Sequence, residues 1–264
     1  MNKQSKTVKK GVGEMLKNER EQEIIDIMRK SGGFISVVEL CKKLYTSESS
    51  IRRDLTALSN KGLVKRSYGG AELINNFSNI SAFSIRSHYN AEAKKIIAKK
   101  AAGLIKEGST VFLDQSSTAF FLACELLDLS SITIVTNNIE IISMMSRTKV
   151  NLISSGGILS HENRMCLYGE DAAYIFNNVY ANYAFFATKA LSDDGVIWDF
   201  SREEVIIRNA MLKNAEKKVF LCDSEKFHCH SAYRQCTLSD IDYLISENEK
   251  AQEYSVFSDK LTVL

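Results

Sequence analysis

Between residues 91 and 264, strand-length apolar runs alternate with helical periods, and few folds accept that order. The runs are Thr110–Leu113, Ile132–Val135, Val150–Ile153, Tyr183–Ala187 and Val219–Leu221. Around them, apolar residues recur at helical spacing in Ala91–Lys106, Ala119–Leu127, Ile139–Arg147, Glu170–Asn177 and Arg202–Asn214. Strands joined through helices run parallel, so the expected fold is α/β: a Rossmann-like, mainly parallel sheet covered on both faces. Such a sheet binds ligands beyond the carboxyl ends of its strands, where the strand order reverses.

The breaks after the five runs share one kind of chemistry. They read Asp114-Gln115-Ser116-Ser117-Thr118, Thr136-Asn137-Asn138, Ser154-Ser155-Gly156-Gly157, Thr188-Lys189 and Asp223-Ser224-Glu225-Lys226. The first opens directly into a helix. Its free N–H groups, the helix dipole and the hydroxyls of Ser116, Ser117 and Thr118 together suit a phosphate. Gly156 and Gly157 permit close backbone approach, and Lys189 and Lys226 can neutralise an anion. Asp114, Asn137 and Asp223 offer partners for sugar hydroxyls, and Thr136 adds one more hydroxyl to the rim. Each break alone reads equally well as an ordinary loop; the agreement of all five favours an effector-binding rim.

Ahead of this region, Ser47–Leu58 reads as a helix with Ile51, Leu55 and Leu58 on one apolar stripe. Ser47 can cap it, while Ser49, Ser50, Arg52, Arg53 and Thr56 face the other way. Arginines grip guanine edges or phosphates, and short hydroxyls let the backbone come close, so this face suits a DNA major groove. A solvated surface helix is the plainer alternative, and the neighbouring segments weigh against it. Ile24, Ile27 and Met28 form a helical stripe that stops at Ser31-Gly32-Gly33. Ser36 can cap a second helix carrying Val37, Leu40, Cys41 and Leu44, and Tyr45-Thr46 leaves only a tight turn before the arginine helix. That is the helix-turn-helix arrangement. Past Gly62, Leu63–Arg66 and Ala71–Ile74 read as two strands of a wing turning at Ser67-Tyr68-Gly69-Gly70, with Lys65 and Arg66 placed for a backbone phosphate.

Charge agrees with this division. Residues 1–74 carry fifteen Lys and Arg against nine Asp and Glu, whereas 75–264 carry nineteen against twenty-three. A basic front on a mildly acidic body fits a polyanion-binding head. The expected domains are a basic tail over 1–18, a winged helix-turn-helix domain over 19–74, a linker over 75–90 and an α/β effector-sensing domain over 91–264.

Other classes are weakly represented. No unbroken apolar run approaches the ~18 residues that span a bilayer, and no apolar block follows the lysine-bearing start, so a cytoplasmic protein without a membrane partner is expected. Cys222, His228, Cys229, His230 and Cys236 have ligand types suited to zinc but no Cys-x-x-Cys pair, and no metal is expected. Neither Gly-x-x-x-x-Gly-Lys nor Gly-x-Gly-x-x-Gly occurs, so no nucleotide cofactor is expected. A sugar-phosphate isomerase-like enzyme with an appended head is the main alternative, with Glu204 as a possible base; a ligand-free architectural DNA-binding protein is a third.

The run Glu19 to Leu73 resembles the DNA-binding head of DeoR-type bacterial transcription regulators. The likeness is carried by Ile51-Arg52-Arg53-Asp54-Leu55, Gly62-Leu63-Val64-Lys65-Arg66 and Tyr68-Gly69-Gly70-Ala71. Ser50 and Tyr68 stand where that family usually has Thr and His. The second half resembles the family's effector domain in Ile96–Ala102, Leu113–Thr118, Val135-Thr136-Asn137, Gly156-Gly157, Gly169 and Asp223-Ser224-Glu225-Lys226-Phe227; Arg86 also has a family counterpart. Ser116 replaces the usual glycine of Asp-x-Gly-Thr-Thr. The resemblance implies a fold similar to ribose-5-phosphate isomerase, a phosphorylated sugar effector and no enzymatic activity. The expected protein is a repressor of a carbohydrate-metabolism operon that binds double-stranded operator DNA as a homo-oligomer, dimer or tetramer.

Overall fold

The chain divides into two compact units, Met1–Asn76 and Phe77–Leu264, in a computed structural model that describes residues 17–31, 34–61, 63–67, 69–73, 83–160, 163 and 165–264. Most of the expected tail, Gly62, Tyr68, Ile74 and residues 75–82 of the expected linker lie outside the described residues.

In the first unit the order is α1 (Lys17–Lys30), β1 (Phe34–Ser36), α2 (Val37–Leu44), α3 (Glu48–Asn60), β2 (Val64–Ser67) and β3 (Gly70–Leu73). Ser36 and Ser47 cap α2 and α3, their hydroxyls accepting from Glu39 N and Ser50 N. Tyr45, in the left-handed region at φ 50, makes the turn between those helices. Ile24, Met28, Leu40, Ile51, Leu55, Leu58 and Val64 close the core. The wing holds three strands in the order β1-β3-β2. The expected hairpin thus gains β1, whose three residues are too few to show a period. Gly70 permits that pairing, because a Cβ there would lie 2.5 Å from the Ile35 carbonyl oxygen.

Buried charges also tie this unit together. Asp54, 1% exposed, receives the Arg20 Nε at 2.6 Å and Nη2 at 3.2 Å, joining α3 to α1. The aspartate of the Arg-Arg-Asp-Leu run is therefore structural, while its arginines stay outside. Asp54→Ala removes this buried two-point pair between α3 and α1 and is expected to destabilise the head by about 1–3 kcal/mol, read as a lowered denaturation midpoint.

In the second unit α4 (Phe83–His88) and α5 (Ala91–Ala102) precede β4 (Thr110–Leu113), α6 (Ser117–Glu125), β5 (Thr133–Thr136), α7 (Ile139–Met145) and β6 (Asn151–Ser154). A small hairpin, β7 (Ile158–Leu159) with β8 (Leu167–Tyr168), leads to α8 (Glu170–Asn178) and β9 (Ala181–Phe186). Then come β10 (Ala190–Leu191), β11 (Val196–Asp199), α9 (Arg202–Lys213), β12 (Ala215–Leu221), β13 (Tyr233–Thr237), β14 (Tyr243–Ile245) and β15 (Thr262–Val263). Seven strands form one sheet in the order β15-β14-β12-β9-β4-β5-β6, and every pairing in it is parallel.

Alternate residues of each strand feed opposite cores. Val111, Leu113, Phe185, Val219 and Leu221 pack with Ile97, Leu122 and Ile141 of α5, α6 and α7. Phe112, Phe186 and Phe220 pack with Phe176, Ile207 and Met211 of α8 and α9. Both faces are covered, which is why the strands read as continuous apolar runs. From β4 the chain steps one way to β5 and β6, then crosses to β9 and continues the other way to β12. The switch point lies between the carboxyl ends of β4 and β9.

The segment expected as linker contains α4. Its Phe83 is 7% exposed and meets Phe120 of α6 edge-on at 5.5 Å.

Candidate nucleic-acid interface and effector cleft

On α3, Ser49, Arg52, Arg53 and Thr56 are exposed, as are Lys65 and Arg66 on β2; Ser47 is exposed at the cap and Ser50 half-buried. The structure divides their roles. Ser47 spends its hydroxyl on the cap and lies 3.0 Å from the hydroxyls of Ser49 and Ser50. Arg52 pairs with Glu48 at 3.1 Å, an exposed one-turn pair that exchanges readily for a phosphate or base. Thr56, expected to face the groove, donates to the Arg52 carbonyl at 2.7 Å and accepts from Arg66 Nη1 at 3.1 Å. Its hydroxyl anchors Arg66 of the wing to α3. Arg53 and Lys65 have no partner among the described residues.

The expected effector residues stand on one rim because the sheet is wholly parallel. Asp114 to Thr118 follow β4, Thr136 and Asn137 end β5, Gly156 and Gly157 follow β6, Lys189 follows β9, and Asp223 and Lys226 follow β12. Several are committed elsewhere. Asp114, fully buried, accepts from Ser116 N on Oδ1 at 3.0 Å, and from Ala187 N at 3.2 Å and Arg208 Nε at 2.9 Å on Oδ2. Its oxygens hold the switch point together. Thr136 donates to Leu113 O at 2.7 Å and accepts from Asn138 N at 3.1 Å, stitching β5 to β4. Gly157 is required by packing, since a Cβ there would lie 2.6 Å from Tyr168 O and 2.8 Å from Ala172 Cβ. Asp223 is taken by Lys226 at 3.0 Å and Asn90 Nδ2 at 3.1 Å.

Others remain available. Ser116 caps α6 by accepting from Ala119 N at 3.0 Å, with an extended φ of −74° that needs no glycine. Ser117 and Thr118 form the first turn, and their hydroxyls make no hydrogen bond among the described residues. Gly156, at φ +66, faces open space. Lys189 makes no ion pair; burial, with the neighbouring charge of Lys226, pulls its pKa down.

A charged network lies beneath the rim, and most of it was not legible in the sequence. Arg208 of α9, 2% exposed, reaches Asp114, Asp199 at 2.6 Å and Glu204 at 2.9 Å. Gln115 Nε2 donates to Glu204 at 2.8 Å and accepts from Asn137 Nδ2 at 3.1 Å through Oε1; Asn163 Nδ2 donates to Glu204 at 3.4 Å. Burial opposes ionisation of Glu204, yet Arg208, Arg86 and the two amides outweigh it and hold its pKa below the usual range. Burial pushes Asp199 up to about 6 despite Arg208. Lone glutamates, glutamines and arginines at these positions carry no local signal.

Among the described residues no cluster of three or more His, Cys, Asp or Glu side chains is placed to hold a metal. His228 pairs with Asp193, and Cys222 is buried at the end of β12 with its thiol pKa raised by burial. No described helix is long and apolar enough to cross a membrane.

Lys94 of α5 is 3% exposed, and its Nζ donates to the carbonyls of Arg86 and, at 2.6 Å, Tyr89. Burial chiefly, with Lys226 and Arg86 adding and Asp223 opposing, lowers its pKa to about 7 from 10.5. The folded protein therefore releases this proton before the unfolded chain does, so stability should rise with pH between about 7 and 10.5. Thermal melts across that range are expected to show the rise in the native sequence and a flatter profile in Lys94→Met.

Residues 20–77 match the DeoR-like helix-turn-helix domain and residues 89–248 the DeoR C-terminal sensor domain. The L-fucose operon activator of Haemophilus influenzae is 32% identical, over 94% of this chain and 100% of that one. The transcriptional regulator GolR of Listeria innocua is 34% identical over 88% and 91%, and the glycerol-3-phosphate regulon repressor of Escherichia coli 27% over 88% and 92%. Ribose 5-phosphate isomerase A of Methanocaldococcus jannaschii overlaps 52% of this chain and 55% of its own, at 16% identity and a TM-score of 0.39. With a helix-turn-helix head and a sensor domain matched over most of its length, the chain belongs to the DeoR family of transcriptional regulators.

Proposed function

We propose that this regulator binds operator DNA through α3 and the wing, and that a phosphorylated sugar in the switch-point cleft sets its grip. Repression of a carbohydrate-metabolism operon from the cytoplasm is the proposed role. The observation that carries the reading is the rim between β4 and β9. There the hydroxyls of Ser117 and Thr118, without a hydrogen bond among the described residues, stand at a helix N-terminus on the same rim as Lys189, in a chain that also carries a winged head. Ser117, Thr118, Asn137, Gly156, Lys189 and Lys226 are the proposed effector residues; Ser49, Ser50, Arg52 and Arg53 face bases, and Lys65 and Arg66 the backbone.

The sensor reading is favoured over an isomerase by the state of the carboxylates. Isomerisation needs a base free to take a proton near neutral pH. Asp114, Glu204 and Asp223 are each tied to Arg208 or Lys226, and Asp199 is sealed at 1% exposure. One head reads a short site, so a dimer or tetramer on half-sites separated by multiples of about 34–36 Å is proposed.

Arg53→Ala and Arg52→Ala are each expected to weaken binding to a promoter fragment beside the protein's own gene by at least about tenfold in gel shifts, with unchanged circular dichroism. Affinity kept within twofold in both variants would overturn the assignment of α3. A thermal-shift screen with millimolar sugar phosphates should raise Tm without turnover. Turnover would establish the isomerase instead.

A further inference from the structure

On the sensor reading of the cleft, we propose that Arg86 is the anchor for a two-oxygen anionic group, phosphate or carboxylate, on the ligand. Arg86 lies on α4, and its Nε and Nη2 are both buried with no hydrogen-bond partner among the described residues. These two N–H groups form one edge of the guanidinium and point in parallel, which fits two oxygens of a single anion. The same chain shows that edge when it is satisfied, in Arg20 Nε and Nη2 on the two oxygens of Asp54 at 2.6 and 3.2 Å. Arg208 likewise spends its nitrogens on Asp114, Asp199 and Glu204. Arg86 has the same fork and nothing to grip.

Its place is the network under the rim. The Arg86 charge helps keep Glu204 ionised and acts on Cys166, whose sulfur is 3.5 Å from Asn137 Nδ2. Glu204 does not consume the fork, because its oxygens receive Arg208, Gln115 and Asn163. Leaving a buried charged donor unpaired is costly, and native proteins keep such groups where something else completes them. A second incomplete group lies in the same network. Asn137 is fully buried and donates through Nδ2 to Gln115 and to Leu167 O at 3.0 Å, but its Oδ1 has no partner. An open acceptor at the end of β5 and an open anion fork on α4 suit a ligand that carries both a hydroxyl and a phosphate or carboxylate.

The position of Arg86 gives that ligand a handle on the rest of the chain. Lys94 Nζ donates to the Arg86 and Tyr89 carbonyls, so backbone and side chain of α4 are held from two sides. In sequence α4 is the first described element after the head. An anion drawn to Arg86 therefore acts on that element.

Calorimetric titration of the full chain with inorganic phosphate, glucose 6-phosphate and gluconate tests the assignment in the native sequence, Arg86→Lys and Arg86→Gln. The native protein is expected to bind at least one probe. Arg86→Lys, which keeps charge but loses the fork, should bind about tenfold more weakly, and Arg86→Gln about a hundredfold or not at all. Ligand-free Tm should not fall in Arg86→Lys, which keeps the charge that acts on Glu204 and loses no intramolecular hydrogen bond. A preference for glucose 6-phosphate assigns the group as phosphate, and a preference for gluconate assigns it as carboxylate; both support the anchor. Unchanged affinity in Arg86→Gln would overturn the anchor while leaving the sensor reading in place. A fall in ligand-free Tm with unchanged affinity would make Arg86 a packing residue. Failure of the native protein to bind any probe would end both.

Discussion

The guanidinium of Arg208 meets the carboxylates of Asp114, Asp199 and Glu204 at 2.9, 2.6 and 2.9 Å in a place almost closed to water. Ion groups this deeply buried rarely add net stability over apolar packing, because desolvation offsets the attraction. What this one supplies is position. Asp114 Oδ2 also takes the Ala187 N–H, so one side chain joins the ends of β4 and β9 where the strand order reverses. Asp199 brings in β11, and Glu204 carries the network through Gln115 to Asn137 on β5. The ends of these strands are held together by the protein's own side chains.

That arrangement separates two kinds of polar group on one rim. Asp114, Thr136 and Asp223 are satisfied within the protein and hold loops in place. Asn137 Oδ1, the Arg86 fork and the Thr188 hydroxyl are buried without a hydrogen-bond partner among the described residues, whereas Asp199 Oδ2, which also makes no hydrogen bond, lies 2.6 Å from the Arg208 cation. Buried groups of that sort are uncommon in native structures, and their clustering is a stronger pointer to a ligand than any one loop sequence. The head shows the same division: Asp54 and Thr56 organise α3 and the wing, leaving Arg53 and Lys65 free to meet phosphate or base.

Much of the fold was legible because its periods are strong. The run at Thr110–Leu113 is reproduced residue for residue, and the other strands and helices are shifted or resized at their ends. Short elements were missed where too few residues exist to show a period, as in β1, β10 and β15, or where an apolar residue such as Phe83 sits in a polar stretch. Placement of the rim followed from parallel topology alone. The roles did not, because they are set by partners far away in the chain. That Asp114 also receives Arg208, 94 residues on, has no local trace in the sequence. Nor does the sequence show that Tyr168 and Ala172 pack where a Cβ of residue 157 would sit.

A sensor of this design works only if its ligand distinguishes the DNA-bound protein from the free one, and such coupling is reciprocal. The most direct measurement is the Kd of a binding sugar phosphate for the full chain, first alone and then saturated with its operator fragment. The account predicts that operator changes that Kd by about five- to a hundredfold, and by the same factor as the sugar phosphate changes operator affinity. Equal values in the two titrations would contradict it, for the cleft would then bind its ligand without informing the head.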